Sequence, residues 1–367
     1  MKVLFLPTAA WNDPPSRYRI YQYLGYLRGQ GIIAHCLPGV SDFIYNWFAP
    51  YKGLLAKAVF FGSGALSRIL ACFIIWRYNA VFIQRLVLPH IYPFPEMLIC
   101  LMARLLGKRI IFDFDDSIFA TSPHRKRTVV ERFTDPNRVA RVIARCDAVI
   151  TGNVYLADYA RSYNGNVVVI PTSIDLARYP VKQWNDKNPG GAFVIGWIGM
   201  PGSLPYLNML KPVFQELAGK HKILLRIIGA KNFNCPGVQV EHISWSLQTE
   251  VSQILTFDIG VMPLTEHEEA LGKCGLKILQ YMAAGIPALA SPVSANKDII
   301  SDGENGYLAG SPQEWEEKFQ TLIHSDQLRL EMGQRGRETV ERRFSIQANL
   351  PKMIETITVK NAVLNDN

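Results

Sequence analysis

A chain of 367 residues with 49% hydrophobic side chains is too long for one ordinary core and too apolar for wholesale disorder, so two domains of roughly 150–180 residues are expected. Thirty-nine basic against 31 acidic residues leave a net charge of +8; this asks for an anionic partner, but no basic stripe with interleaved aromatics and no nucleic-acid module is present, so nucleic acid is not expected. The six cysteines, Cys36, Cys72, Cys100, Cys146, Cys235 and Cys274, stand singly without a CxxC pair, which fits reduced thiols in a cytoplasm better than a disulfide framework or a zinc site.

The opening "MKVLFLPTAAW" has the look of a signal peptide, but its apolar run is five residues long and Pro7 closes it, so it reads as a first buried strand. Further strands are predicted at 32–36, 80–83, 109–113, 147–150 and 167–170, with helical patterns near 18–29, 54–76, 95–106, 128–145 and 154–162. That alternation predicts a parallel sheet with crossover helices. A loop rich in Pro, Asn, Asp and Gly at 180–191 marks a boundary. The plan then repeats, with strands at 193–198, 223–228, 238–243, 258–262 and 287–290 and helices near 204–218, 246–255, 275–284 and 312–342. The expected fold class is therefore α/β, two doubly wound Rossmann-like domains facing a central cleft, with ligands beyond the carboxyl ends of the strands.

Residues 43–77 combine aromatics and aliphatics with only Lys52, Lys57, Arg68 and Arg77 as charges. Arg68 interrupts the uncharged span that a membrane-crossing helix needs. Basic residues beside Trp47, Phe48, Phe60, Phe61 and Trp76 suit an interfacial segment on an anionic leaflet, and an ordinary helix pair covering a sheet is the competing reading.

Two stretches carry candidate chemistry. In "GKCGLKILQYMAAGIP" at 272–287 a short apolar helix from about Gly275 to Ala284 is predicted, stopped by Gly285 and Pro287. Lys273, Lys277 and Gln280 would form a polar stripe at its start. A lysine in the first turn costs roughly 0.3–1 kcal/mol against the partial positive charge there, unless an anion binds. The preceding loop adds Glu266, Glu268, Glu269 and Gly272, acids suited to sugar hydroxyls next to a lysine suited to phosphate. Gly199, Gly202 and Gly229 follow strands and permit close backbone approach, but none forms a GxGxxG fingerprint. In "RIIFDFDDSIF" at 109–119, Asp113, Asp115 and Asp116 follow a strand. Carboxylates this close repel unless they hold hydroxyls, a cation or a base; a helix cap with solvated acids is the plainer alternative.

The segment 258–310, with "YMAAGIPALAS" and "DIISDGENGYL", resembles the donor-binding region of retaining family-4 glycosyltransferases with the GT-B fold. "VVVIPTSIDLARY" at 167–179 is similar to the end of that family's N-terminal domain, and "FSIQANLPKMIETI" at 344–357 to its closing helix. The resemblance implies an acceptor-side domain over 1–180, a nucleotide-sugar-binding domain over 191–343, and a helix over 344–367 that packs back towards the first. It implies a donor site at Gly199, Ser203, Glu269, Lys273, Gly275, Leu276, Lys277 and Gln280, and catalytic roles for Asp113, Asp115 and Asp116 in orienting the acceptor hydroxyl or steadying an oxocarbenium-like state. Arg17 and Arg19, where the first helix starts, would meet the donor diphosphate or an acceptor phosphate.

The departures are specific. The family's two glutamates fall on Gly272 and Gln280, and its basic pair after the first strand of the second domain falls in "IGMPGSLPYL", which has no basic residue. Lys273 and Lys277 would replace those cations, with Gln280 as a neutral hydrogen-bonding group. The expected activity is transfer of a sugar with retention from a UDP- or GDP-sugar to a glycan or polyprenyl-diphosphate-linked acceptor in polysaccharide assembly. No metal or other cofactor is required if cations and a helix end hold the diphosphate. The expected location is the cytoplasm, peripheral on the inner face of the membrane through 43–77. Two alternatives stay open: a catalytically silent glycosyltransferase-like partner, and a magnesium-dependent phosphatase of the haloacid-dehalogenase type, whose opening motif "FDFDDS" resembles.

Overall fold

A computed structural model describes residues 1–48, 53–120, 134–184 and 191–359. It divides into two compact units, Met1–Ser173 together with the chain from Asn349 onward, and Ile174–Ala348. Parts of the expected helix at 128–145, of the segment 43–77 and of the loop at 180–191 lie outside the described residues.

The first unit is built on six parallel strands, β1 (Lys2–Leu6), β2 (Ile33–Cys36), β3 (Ala80–Gln84), β4 (Arg109–Phe114), β5 (Ala148–Thr151) and β6 (Val167–Val169), in the order β2-β1-β3-β4-β5-β6. β3, β4 and β5 are buried at every position. Strands covered on both faces must be apolar throughout, which is why they read as continuous runs rather than alternations. The helices are α1 (Pro14–Arg19), α2 (Leu24–Gly29), α3 (Asp42–Phe48), α4 (Gly53–Cys72), α5 (Phe94–Leu105), α6 (Arg138–Ile143) and α7 (Val154–Arg161). The helix expected at 18–29 is two, joined by a 3-10 turn at Tyr21–Tyr23, and it starts earlier. Asp13 caps it by accepting from the Ser16 amide, and the two prolines that look like a loop occupy its first turn, where no N–H is needed.

The second unit has β7 (Phe193–Ile198), β8 (Ile223–Ile228), β9 (Gln239–Ile243), β10 (Ile259–Met262), β11 (Ala288–Ala290) and β12 (Tyr307–Leu308), ordered β12-β11-β10-β7-β8-β9. Its helices are α8 (Leu204–Asn208), α9 (Lys211–Lys220), α10 (Glu250–Ile254), α11 (Glu268–Leu271), α12 (Leu276–Ala283), α13 (Ala295–Ile299), α14 (Pro312–His324) and α15 (Asp326–Thr339); α16 (Ile346–Thr358) crosses the unit boundary. The stretches expected as single helices at 204–218 and 312–342 are each broken. Pro212 opens α9, and Ser325 starts α15 by accepting from the Leu328 amide.

Strand order reverses between β7 and β10, and the two pair only at Ile195–Ile259 and Gly196–Gly260. Beyond that point the Tyr281 ring of α12 enters the seam. Its hydroxyl accepts from the Ile198 amide at 3.2 Å and donates to the Val261 carbonyl at 3.4 Å. A β-carbon on Gly260 would stand 2.2 Å from that ring, so the glycine is there to admit it. Replacing Tyr281 with Phe strands a buried amide, which costs about 1–3 kcal/mol; urea unfolding of Tyr281→Phe against wild type measures it, and an unchanged midpoint would contradict this account.

Candidate active site

The seam opens, at the carboxyl ends of β7 and β10, into a pocket of about 110 Å³ lined by Trp197, Ser203, Tyr206, Met262, Pro263, Leu264, Lys273 and Lys277. This is a topological switch point, where loops after neighbouring strands leave in opposite directions and a crevice results. The helix α12 starts one residue later than expected, behind Gly275 in the left-handed region at φ 70°, and no side chain caps it. A helix start without a side-chain cap is where backbone N–H groups can meet an anion. Lys277 is the second helical residue, with Nζ 5.4 Å from the Trp197 ring centre. Gly199 allows this packing, since a β-carbon there would lie 2.5 Å from the indole and 3.0 Å from Lys277 Cε.

Lys273 precedes α12 rather than lying in its first turn, and pairs with Glu269 of α11 at 3.4 Å. α11 is held by His267, whose Nδ1 accepts from the Ala270 amide at 3.2 Å. That fixes the proton on Nε2, which donates to the Tyr206 hydroxyl at 2.9 Å. Lys273, Lys277 and Ser203 are thus brought together, with Gly199, Glu269, Gly275 and the half-buried Leu276 around them. Gln280 is not among them. It is buried, and its Nε2 donates to the Tyr179 hydroxyl at 3.2 Å, so the expected polar stripe ends at Lys277. Trp197, Tyr206 and His267 were not singled out in the sequence, where an apolar strand and a lone histidine carry no motif.

The carboxyl end of the first sheet separates the three aspartates. Asp113 is fully buried within β4, and Arg19 donates to it through Nε at 3.1 and 3.2 Å and through Nη2. Burial pushes the Asp113 carboxyl above its ordinary range, against the pull of Arg19. Arg19 also donates to the Ile170 carbonyl at 2.6 Å. Arg17 is likewise buried, its Nη1 donating to the Trp11 carbonyl at 3.4 Å. Arg17 and Arg19, expected to meet a phosphate, are therefore both folded into the core. Asp113, expected at the reacting sugar, is likewise sealed against the Arg19 guanidinium rather than open to the strand end.

Asp115 and Asp116 lie past the strand end and are only partly buried. Arg85 donates to Asp115 through Nε at 2.7 Å and stands 3.9 Å from Asp116. Arg85 has φ 50°, rare for a residue with a side chain, and its amide donates to the Asp113 carbonyl at 2.8 Å. Strained backbone of this kind persists where surroundings over-determine it, commonly at functional sites. Asp13, with Ser16 Oγ donating to it at 2.6 Å, is the other acid of this edge, and burial raises its pKa. Arg85 and Asp13 had no sequence signal.

Three comparisons place this geometry. Residues 195–325 match the family described as glycosyl transferases group 1. The putative glycosyltransferase EpsD of Bacillus subtilis is 35% identical over 83 residues, 22% of each chain. The capsular polysaccharide biosynthesis glycosyltransferase CapM of Staphylococcus aureus is 25% identical over 166 residues, 42% of this chain and 43% of that protein. The chain thus spans under half the length of these curated relatives. Two solved structures align over nearly the whole chain. Anabaena HepE in complex with UDP and glucose does so with TM-score 0.66 and 14% identity over 97% of this chain and 99% of that one. The sucrose-phosphate synthase of Thermosynechococcus elongatus does so with TM-score 0.69 and 12% identity over 96% and 97%. The fold is that of the GT-B glycosyltransferases.

The two sorts of aspartate are separable by experiment. Asp113→Asn leaves the Arg19 charge buried without a counter-charge, which costs about 3–5 kcal/mol. Asp115→Asn, at a partly exposed pair, costs no more than about 1 kcal/mol. Urea unfolding of both variants checks the contrast, and equal losses would refute it.

Proposed function

We propose that the protein is a glycosyltransferase that moves a sugar, with retention, from a nucleotide-sugar donor to a glycan or lipid-linked acceptor in polysaccharide assembly. The observation that carries this reading is the convergence of Lys273, Lys277 and the uncapped start of α12 on one pocket. About 110 Å³ is below the roughly 300–1,000 Å³ of a site that encloses a whole ligand, and it suits the diphosphate, with base and sugar lying outside. The N–H groups of α12 and both ammonium groups would take the negative charge that grows on the leaving diphosphate. Lys273 would then exchange Glu269 for phosphate oxygens, and the freed carboxylate would face the donor sugar. Asp115 and Asp116, half-buried past the end of β4, would accept hydrogen bonds from hydroxyls. The relative named for capsular polysaccharide biosynthesis and the neighbour holding UDP support a UDP-sugar and a glycan acceptor. A polyprenyl-diphosphate-linked acceptor would bring the protein to the inner face of the cell membrane.

Thermal-shift titration with UDP, GDP, ADP and TDP and their sugars tests the donor site. One nucleotide class should stabilise the protein, and Lys277→Ala should weaken that nucleotide by about 10–100-fold, the worth of one charge-assisted contact. Product anomers read by NMR test retention. Stabilisation by none of the nucleotides would overturn the transferase reading; binding without transfer to any acceptor would favour the silent partner.

A further inference from the structure

The outer face of α4 and α5 is unlike a solvated surface. From Leu55 along α4 and the turn after it, the exposed positions are Leu55, Ala58, Gly62, Leu66, Leu70, Phe73 and Trp76, spaced three or four apart, with no polar side chain among them until Arg77. Leu55 is 76% exposed, Phe73 72% and Trp76 60%. On α3, packed beside it, Phe43 and Trp47 are exposed at 66% and 74%. The neighbouring α5 exposes Phe94, Leu101 and Leu105. There Phe94, Met97, Leu98 and Leu101 line a groove of about 330 Å³ that Arg104 and Arg145 border. A helix on a soluble surface turns its charged side outward; this pair turns its apolar side outward as well as inward.

The helix α4 is long and apolar enough to cross a membrane, but its inner face is tied to the sheet. Arg68 is fully buried, and its Nη2 donates to the carbonyls of Leu6 and Pro7 at 2.7 and 3.0 Å. Ser67 donates to the Pro38 carbonyl at 2.8 Å. Burial lowers the Arg68 pKa to about 10, so at neutral pH it keeps its charge and stays with its partners. The helix therefore lies on its own domain with one side open.

We infer that this face docks flat on an anionic lipid leaflet, with the α5 groove receiving a lipid chain whose phosphate meets Arg104 and Arg145. Charge selects this occupant. Among the described residues of α3, α4, α5 and the turns that follow α4 and α5, the basic side chains not buried are Lys57, Arg77, Arg104 and Lys108, against Asp42 and Glu96 as acids. Glu96 is itself buried, 3.9 Å from Arg68. A two-fold dimer through this face would set basic rim against basic rim with only Asp42, already accepting from the Asn12 amide, to answer it, whereas phosphatidylglycerol headgroups answer it directly. Exposed Trp47 and Trp76 suit the headgroup level.

The inference goes beyond the transferase reading, and its test needs no nucleotide. The full chain is sedimented with vesicles of phosphatidylcholine alone and of phosphatidylcholine with phosphatidylglycerol, and its tryptophan emission is read with brominated acyl chains. Pelleting with the anionic vesicles, weakened by salt, and bromine quenching that falls in Trp76→Phe are expected. The double variant Leu66→Glu, Phe73→Glu should bind roughly tenfold more weakly while still melting cooperatively. If that variant does not fold, the quenching difference decides. Protein left in the supernatant at low salt, or a dimer that the double variant makes monomeric, would overturn the inference.

Discussion

The hydroxyl of Tyr281 between Ile198 and Val261 is the contact on which the second unit's site depends. Parallel strands that stay paired to their ends leave no room beyond them. Here β7 and β10 pair over two residues and then part around a tyrosine supplied by α12, the helix whose N-terminus faces the opening. The wedge and the uncapped N-terminus are therefore parts of one helix. Its far end is fixed as well: Arg337 donates to the Ala283 and Tyr179 carbonyls, satisfying a C-terminal acceptor with a cation where the helix charge favours one. A β-carbon on Gly333 would stand 2.1 Å from the Gly285 carbonyl oxygen, so α15 closes on the end of α12 without a gap. Position and charge of the pocket are set by packing far from it.

The first unit solves a different problem at the same end of its sheet. Three aspartates in four residues would repel in one solvent shell. Strand alternation sends Asp113 inward to Arg19, and the chain leaves the strand before Asp115 and Asp116, which share Arg85. The buried pair gains little net stability over an apolar core of equal volume. It does fix α1 and the end of β6 to the centre of the sheet, because the same guanidinium also holds the Ile170 carbonyl.

The parallel sheets were legible because their central strands must be apolar over their whole length, and that pattern survives in one sequence. Elements that had no such signature are short: α11, α13 and β12 have four, five and two residues, below the length at which periodicity shows. The lysines were legible as an electrostatic conflict at a helix start. Gln280 was misplaced because helical spacing gives the angle of a side chain and not the distance of a partner, and Tyr179 lies a hundred residues earlier in the chain. Arg17 and Arg19 were misplaced for a related reason. Charge argues for the surface on average, and only the carboxylate of Asp113, 94 residues away in sequence, shows that Arg19 is neutralised.

That conflict also explains the state of the pocket. Two ammonium groups and a helix N-terminus within one small volume repel each other unless negative charge or π-electron density is near. Glu269 supplies the first for Lys273, and the Trp197 face supplies a weaker form of the second for Lys277. Glu269 sits one helical turn before Lys273, in the four-residue α11, whereas Trp197 belongs to the strand β7. An incoming diphosphate would compete with a carboxylate for Lys273 and leave the indole beside Lys277 in place, which is the ordering expected of a site built to admit an anion without disturbing its own frame.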